Sequence, residues 1–186
     1  MKKAEWRARI LRRKILVRRP WMTIVEDRVR IGKKEFTYVH RPHGPVVAIV
    51  ALTPKNEMVL VRQYRHPVRR ALLEIPAGGV EGREPLLAAA KREFLEETGF
   101  TAPRWKKLGA WYPSPAHTGV VKHVYLALGA RRVRAQHLDD TEFLRVEVVP
   151  LRRLWKSFNR LPDDKAEGLL TGIALARRYG KIGGSI

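Results

Sequence analysis

The sequence contains no cysteine in 186 residues. That one absence removes disulfide staples, thiolate nucleophiles and cysteine-ligated zinc, and it fits a reducing cytoplasm. Long apolar runs are also missing. Nothing approaches the roughly 20 residues a spanning helix needs, and residues 1–19 are too basic and too interrupted for a signal peptide. The expectation is a cytoplasmic protein with no membrane partner. Acids are scarce, 18 Asp and Glu against 38 Lys and Arg, for a net charge of +20. A basic surface attracts phosphate backbones. Here, however, the cations are spread along the chain, with a mild concentration in Lys2 to Arg19, and no aromatic-interleaved recognition motif accompanies them. Nucleic acid is therefore an unfavoured partner, and a biased genome or a hot habitat would give the same charge. There is no internal repeat and no low-complexity tract. Length and 45% apolar residues fit one ordinary globular domain with a sizeable core.

The chemistry concentrates in Gly78 to Phe100, GGVEGREPLLAAAKREFLEETGF. Pro85 suits a first helical turn and Gly99 the left-handed position beyond a helix end, which predicts a helix from about Pro85 to Thr98. Glu93 and Glu97 share one face at i,i+4, while Leu87, Ala90 and Phe94 mark an apolar stripe for the core. Arg92 and Glu96 are placed to pair. Crowding Glu93, Glu96 and Glu97 is unfavourable unless a hard divalent cation takes their oxygens; the structural alternative is a solvated helix face.

Before this stretch, residues 1–19 read as a basic helix leading into a strand at about Arg13 to Arg18. Trp21 to Ile31 and Glu35 to His40 alternate as a hairpin around Gly32, with Asp27 interrupting the apolar face. Val46 to Leu52, VVAIVAL, is the pattern of a strand buried on both faces. Met58 to Tyr64 and Leu72 to Ile75 are further strands. After it, strands are expected over Lys106 to Tyr112, Lys122 to Leu128 and Arg145 to Val149, and helices over Pro150 to Phe158 and Asp164 to Tyr179.

Gly78, Glu84, Arg92, Glu93, Glu96, Glu97 and Gly99 stand at the spacing G-x5-E-x7-R-E-U-x-E-E-x-G-U, with Phe94 and Phe100 in the apolar slots. This resembles the Nudix box. Gln63 to Val68 (QYRHPV), Leu72 to Gly79 (LLEIPAGG) and Ser114 to Ala116 (SPA) resemble the ADP-ribose pyrophosphatase branch of that family. The resemblance implies an α/β Nudix fold, an α/β/α sandwich around a mixed sheet spanning 46–186. It also implies an antiparallel strand extension over 1–45 that forms a homodimer. The implied reaction is Mg²⁺-dependent hydrolysis of ADP-ribose or a similar nucleoside diphosphate derivative, with Mn²⁺ as the alternative ion.

Carried over position by position, the likeness implies that Glu93, Glu97 and the Ala77 carbonyl hold the metal, with Glu96 close by. It further implies Glu142 as an additional ligand with a catalytic part, and Asp140 as general base. Arg41 and Arg65 match substrate-side arginines, able to bind phosphate bidentately. Glu74 meets substrate or an arginine. Trp21 or Phe36 either stacks on a base or, as aromatics at strand spacing more often do, fills the core. His117 reads as solvent-facing. The chain departs from the branch after Ala116, where no carboxylate follows through Val121, so the preferred substrate stays open. Other Nudix specificities (NADH, FAD, dinucleoside polyphosphates, nucleotide sugars), RNA 5′-end pyrophosphohydrolysis and a non-catalytic nucleic-acid-binding module are the rivals.

Overall fold

The computed structural model describes residues 6–158 and 164–177. The chain divides into two compact units, Met1–Gly44 with Ser114–Val120, and Pro45–Pro113 with Val121–Ile186.

In the first unit, β1 (Ala8–Arg19), β2 (Met22–Ile31) and β3 (Lys34–His40) form an antiparallel sheet in that order. The helix expected before Arg13 is not found among the described residues, where the strand already begins at Ala8. Pairing with β2 continues along nearly all of β1, interrupted by irregularities between Ile10 and Arg12 and between Ile15 and Val17. Ladder hydrogen bonds override the weak helical spacing of a short basic segment. Asp27 interrupts the apolar pattern because it is a buried ion-pair centre. Arg13 Nε and Nη2 each donate to it at 2.7 Å, and His40 Nε2 lies 3.0 Å away. Trp21 and Phe36, expected in the core on strand periodicity, are exposed. This sheet buries little besides Val25, Asp27 and Val29, leaving Ile15, Val17 and Val39 in the open as well. Tyr38 donates its hydroxyl to the Ala116 carbonyl at 2.8 Å, and the Arg41 amide donates to the His117 carbonyl at 2.9 Å, fastening 114–120 to β3. His117 is exposed, as expected.

The second unit is built on a mixed sheet in the order β12 (Leu144–Pro150), β5 (Glu57–Arg65), β4 (Val46–Leu52), β10 (Lys122–Leu128) and β9 (Arg104–Trp111). β4 and β10 run parallel, the other neighbours antiparallel. β4 is buried on both faces, as its unbroken apolar run predicts. Val47, Ile49 and Ala51 pack under α1 (Leu86–Thr98) with Ala90 and Phe94, while Ala48, Val50 and Leu52 pack with Leu154 of α2 (Leu151–Phe158) and Leu169 and Ile173 of α3 (Glu167–Arg177). These two cores on opposite faces make the α/β/α sandwich.

β4 and β5 touch only at Ala51–Val59 and Leu52–Met58 and then part. Into that fork run β6 (Arg70–Glu74), paired with the far half of β5, and β7 (Ala77–Gly79), paired with Val46–Ala48. The fork thus delivers the Ala77–Gly79 backbone to the sheet beside α1. A small ladder of β8 (Phe100–Thr101) and β11 (Arg131–Arg132) follows that helix.

Candidate active site

Helix α1 starts one residue later than expected, with Pro85 extended at φ −62° and ψ 142° just ahead of it. It ends at Gly99, whose φ of +72° and amide bond to the Leu95 carbonyl close the last turn. Ala89, Ala90 and Phe94 are buried, and Phe94 meets Trp105 edge-on at 5.9 Å between ring centres. Leu87, assigned to the same stripe from its spacing, is instead exposed; the small side chains of Ala89 and Ala90 carry the contact.

The opposite face gathers the acids around Arg92. Its Nη1 donates to Glu96 at 2.9 Å and Glu93 at 3.0 Å, and its Nη2 to Glu84 at 2.8 Å and the Gly79 carbonyl at 2.9 Å. One guanidinium therefore ties the loop to the helix, raising its own pKa and lowering that of Glu84. The expected Arg92–Glu96 pair is present.

Glu97 is 3% exposed and accepts the Ala77 amide at 3.0 Å. Burial, then repulsion from Glu93, raises its pKa well above the ordinary carboxylate value. Burial likewise lifts Glu93 to about 7 against the pull of Arg92. Gly78 makes their arrangement sterically accessible, since a Cβ built there would fall 2.0 Å from the Glu93 carboxyl carbon. Two desolvated carboxylates beside glycine backbone, with burial outweighing the pull of Arg92 on Glu93 and of Arg65 on Glu97, form an oxygen-rich setting that fits a hard divalent cation. Among the described residues no set of three side chains could hold a metal by itself. A cation here would need Glu93, Glu97 and backbone oxygen together, which is the donor set with Ala77 that the resemblance implies.

Arg65 binds Glu74 bidentately, both contacts at 2.8 Å, so Glu74 meets an arginine as expected. Glu97 and Glu142 further favour the charged form of Arg65, and Glu142 also disfavours ionisation of Glu93 and Glu97, placing it in electrostatic reach of all three. Glu142 closes its own turn, its carboxylate accepting the Asp139 amide at 3.2 Å. Asp140 is exposed. Arg41 and Trp21 belong to the first unit, where Arg41 Nη2 donates to the Trp21 carbonyl at 3.3 Å.

Sequence spacing did not single out Gln136. Its Nε2 donates to the Glu97 carbonyl at 2.6 Å, while the His137 amide donates to the Glu96 carbonyl at 2.9 Å. The amides of Val133 and Arg134 both bond the Gly99 carbonyl. The segment leading to Glu142 is thereby moored to the end of α1. No local pattern marks such contacts, since their partners lie some forty positions earlier in the chain.

A family model of the NUDIX domain matches residues 42–169. The chain belongs to the NUDIX family. It is 38% identical over 110 residues to the ADP-ribose pyrophosphatase of Bacillus subtilis (strain 168), covering 59% of this chain and 60% of that one. It is also 37% identical over 103 residues to the methanol dehydrogenase activator of Bacillus methanolicus, covering 55% and 56%. The chain thus spans less than two thirds of these relatives. A crystal structure described as an ADP compounds hydrolase matches with a TM-score of 0.81 at 21% identity, over 96% of this chain and 97% of that one. That likeness concerns the NUDIX fold alone. Among the described residues no helix is long and apolar enough to cross a membrane.

Proposed function

We infer that the chain is a pyrophosphatase of the NUDIX family that hydrolyses ADP-ribose or a similar nucleoside diphosphate derivative, yielding a nucleoside monophosphate and a phosphorylated X group. The observation carrying this reading is the buried Glu97 and partly buried Glu93 lying against the Ala77–Gly79 backbone. Similarity to the Bacillus subtilis ADP-ribose pyrophosphatase supports the substrate class. Glu93, Glu97 and the Ala77 carbonyl would hold Mg²⁺, or Mn²⁺ in its place, with Glu142 as a further ligand. Bound there, such an ion would supply charge neutralisation for the diphosphate and a lowered pKa for the attacking water.

The protein's own part is positional. Arg92 holds Glu84, Glu93 and Glu96 in register, and the Ala77 amide fixes the Glu97 carboxylate. Arg65, steadied by Glu74, offers a charged fork to phosphate. Glu142 and Asp140 are the two acids for the base; the electrostatic reach of Glu142 favours it. Arg41 and Trp21 are assigned to substrate binding, and the cysteine-free composition supports a cytoplasmic enzyme.

Glu97→Gln tests the assignment. It should leave the circular dichroism spectrum unchanged and reduce turnover of ADP-ribose with Mg²⁺ by orders of magnitude; near-normal activity would remove this helix from the chemistry. The similarity to a methanol dehydrogenase activator keeps a second specificity within the family in view. Faster hydrolysis of NADH, FAD, a dinucleoside polyphosphate, a nucleotide sugar or triphosphorylated RNA than of ADP-ribose would select it.

A further inference from the structure

Helix α1 ends in carbonyls that no further helical turn uses. Leu95 gives its oxygen to the Gly99 amide, and the next two acceptors are filled from far along the chain. The His137 amide donates to the Glu96 carbonyl at 2.9 Å, and the Gln136 side chain donates through Nε2 to the Glu97 carbonyl at 2.6 Å. Glu97 is therefore held twice, by its carboxylate on the Ala77 amide and by its peptide oxygen on Gln136.

The seat of this segment is closely fitted. A Cβ built on Gly99 would collide with the Arg134 carbonyl oxygen, a backbone atom that cannot swing aside. Glycine alone combines that closeness with the left-handed φ of +72°. Residues 131–135 and 137 are exposed, whereas Gln136 among them is half-buried, its amide on the helix end. The bonds from Val133, Arg134 and His137 come from backbone amides, which any residue except proline supplies. At 136 the contact depends on a side chain of this length carrying a donor.

The stretch that follows is short. Only Leu138 to Glu142 separate His137 from Phe143, whose carbonyl accepts the Tyr64 amide of β5 at 3.0 Å. Glu142 closes a turn inside it, its amide donating to the Asp139 carbonyl at 2.9 Å and its carboxylate accepting the Asp139 amide at 3.2 Å. At no more than about 3.5 Å per residue, and with a turn within it, so short a bridge places its acid where the two anchors dictate. One of those anchors is the peptide of Glu97.

We propose that Gln136 is a positioning residue, its side-chain amide setting the turn that carries Glu142 in register with Glu97 through the Glu97 carbonyl. This rests on the pyrophosphatase reading and on the part given there to Glu142, and adds the side chain that fixes one acid relative to the other. Without the bond, the turn samples more positions and fewer molecules hold Glu142 in place. Contacts that bind substrate elsewhere are unaffected.

The test uses the full chain as wild type, Gln136→Met, Gln136→Lys, Glu142→Gln and the double variant of Gln136→Met with Glu142→Gln. Steady-state hydrolysis of ADP-ribose with Mg²⁺ is measured beside amide hydrogen exchange of the metal-free proteins. Methionine keeps the length and removes the donor, so kcat should fall about tenfold with KM within about twofold of wild type. Lysine returns a donor at that reach and should recover most of the loss. On the Glu142→Gln background the methionine change should cost less than about twofold, because the group it positions is already gone. Exchange at the Glu142 amide should quicken about tenfold or more in Gln136→Met. Gln136→Asn, too short to reach the carbonyl, replaces the methionine variant if that one does not fold.

A kcat within about twofold of wild type in Gln136→Met would overturn the proposal. So would an equal loss on both backgrounds, or a lysine variant as slow as the methionine one, each the mark of a purely structural bond. A fully active Glu142→Gln would end the proposal and leave the pyrophosphatase reading standing. A wild type that hydrolyses no nucleoside diphosphate derivative would sink that reading alone. Exchange would then decide the rest: unchanged protection at Glu142 in Gln136→Met overturns the positioning role, and lost protection upholds it.

Discussion

Gly78 separates the role of the glycine loop from that of the acids. A methyl group there would fall on the Glu93 carboxylate, the free end of a flexible side chain, which can swing aside without disturbing the core. Gly78→Ala should therefore fold with a near-normal melting temperature and yet lose about tenfold or more in kcat/KM, because Glu93 no longer meets its neighbours. Equal activity would show that Glu93 works elsewhere. The base is assigned by a pair of variants. Glu142→Gln should depress kcat strongly and Asp140→Asn weakly, as measured in separate steady-state series; the opposite order would return the role to Asp140. At this scale i,i+4 spacing put Glu93 with Glu97 and Arg92 with Glu96, and the resemblance of the whole motif to the Nudix box made them legible as a site. Gln136 was not legible, because it acquires its neighbours only when a loop distant in sequence is brought to the end of α1.

Among the elements, β1 and β2 show how a polar residue on an apolar strand face becomes a structural centre. The Asp27 side chain is 4% exposed, and the Arg13 guanidinium, helped by His40, holds its carboxyl at about 2 against an ordinary 3.8 despite opposing burial. A carboxyl lowered by folding stabilises the native state above its ordinary value and loses that contribution as pH falls towards the folded value. Asp27 should thus add about 2 kcal/mol at neutral pH, fading between about pH 4 and pH 2. Denaturant unfolding of Asp27→Asn against wild type checks this: the stability gap should narrow across that window, and a gap constant with pH would refute the assignment. In the sequence Asp27 registered only as a flaw in an alternating pattern, because its partners come from the two flanking strands. The central strand was legible outright, since a seven-residue apolar run has few other uses. Leu87 was misassigned because periodicity ranks positions by hydrophobicity, whereas close approach of α1 to the sheet favours the small Ala89 and Ala90.

For the molecule as a whole, the long strands of the second unit were legible from their apolar runs and its helices from their spacing, while their assembly into a sandwich was implied by the family resemblance. The short β7, β8 and β11 carry no apolar signature of their own. The first unit was less legible. Its sheet leaves Ile15, Val17, Phe36, Tyr38 and Val39 exposed, so alternation there does not divide inside from outside. An uncovered apolar surface of this kind supports the proposal that the 1–45 extension makes a homodimer. Sedimentation equilibrium should then return twice the 21.4 kDa chain mass, and a monomer at all concentrations would dismiss the dimer.

The bonds joining residues 133–137 to the Glu96, Glu97 and Gly99 carbonyls have one more outcome. Carbonyls at a helix terminus ordinarily fray into solvent, but here they are knotted to a distant stretch of chain. Warming should loosen the acidic turn and the final helical coil in a single event, and deuterium uptake at the His137 amide would time both.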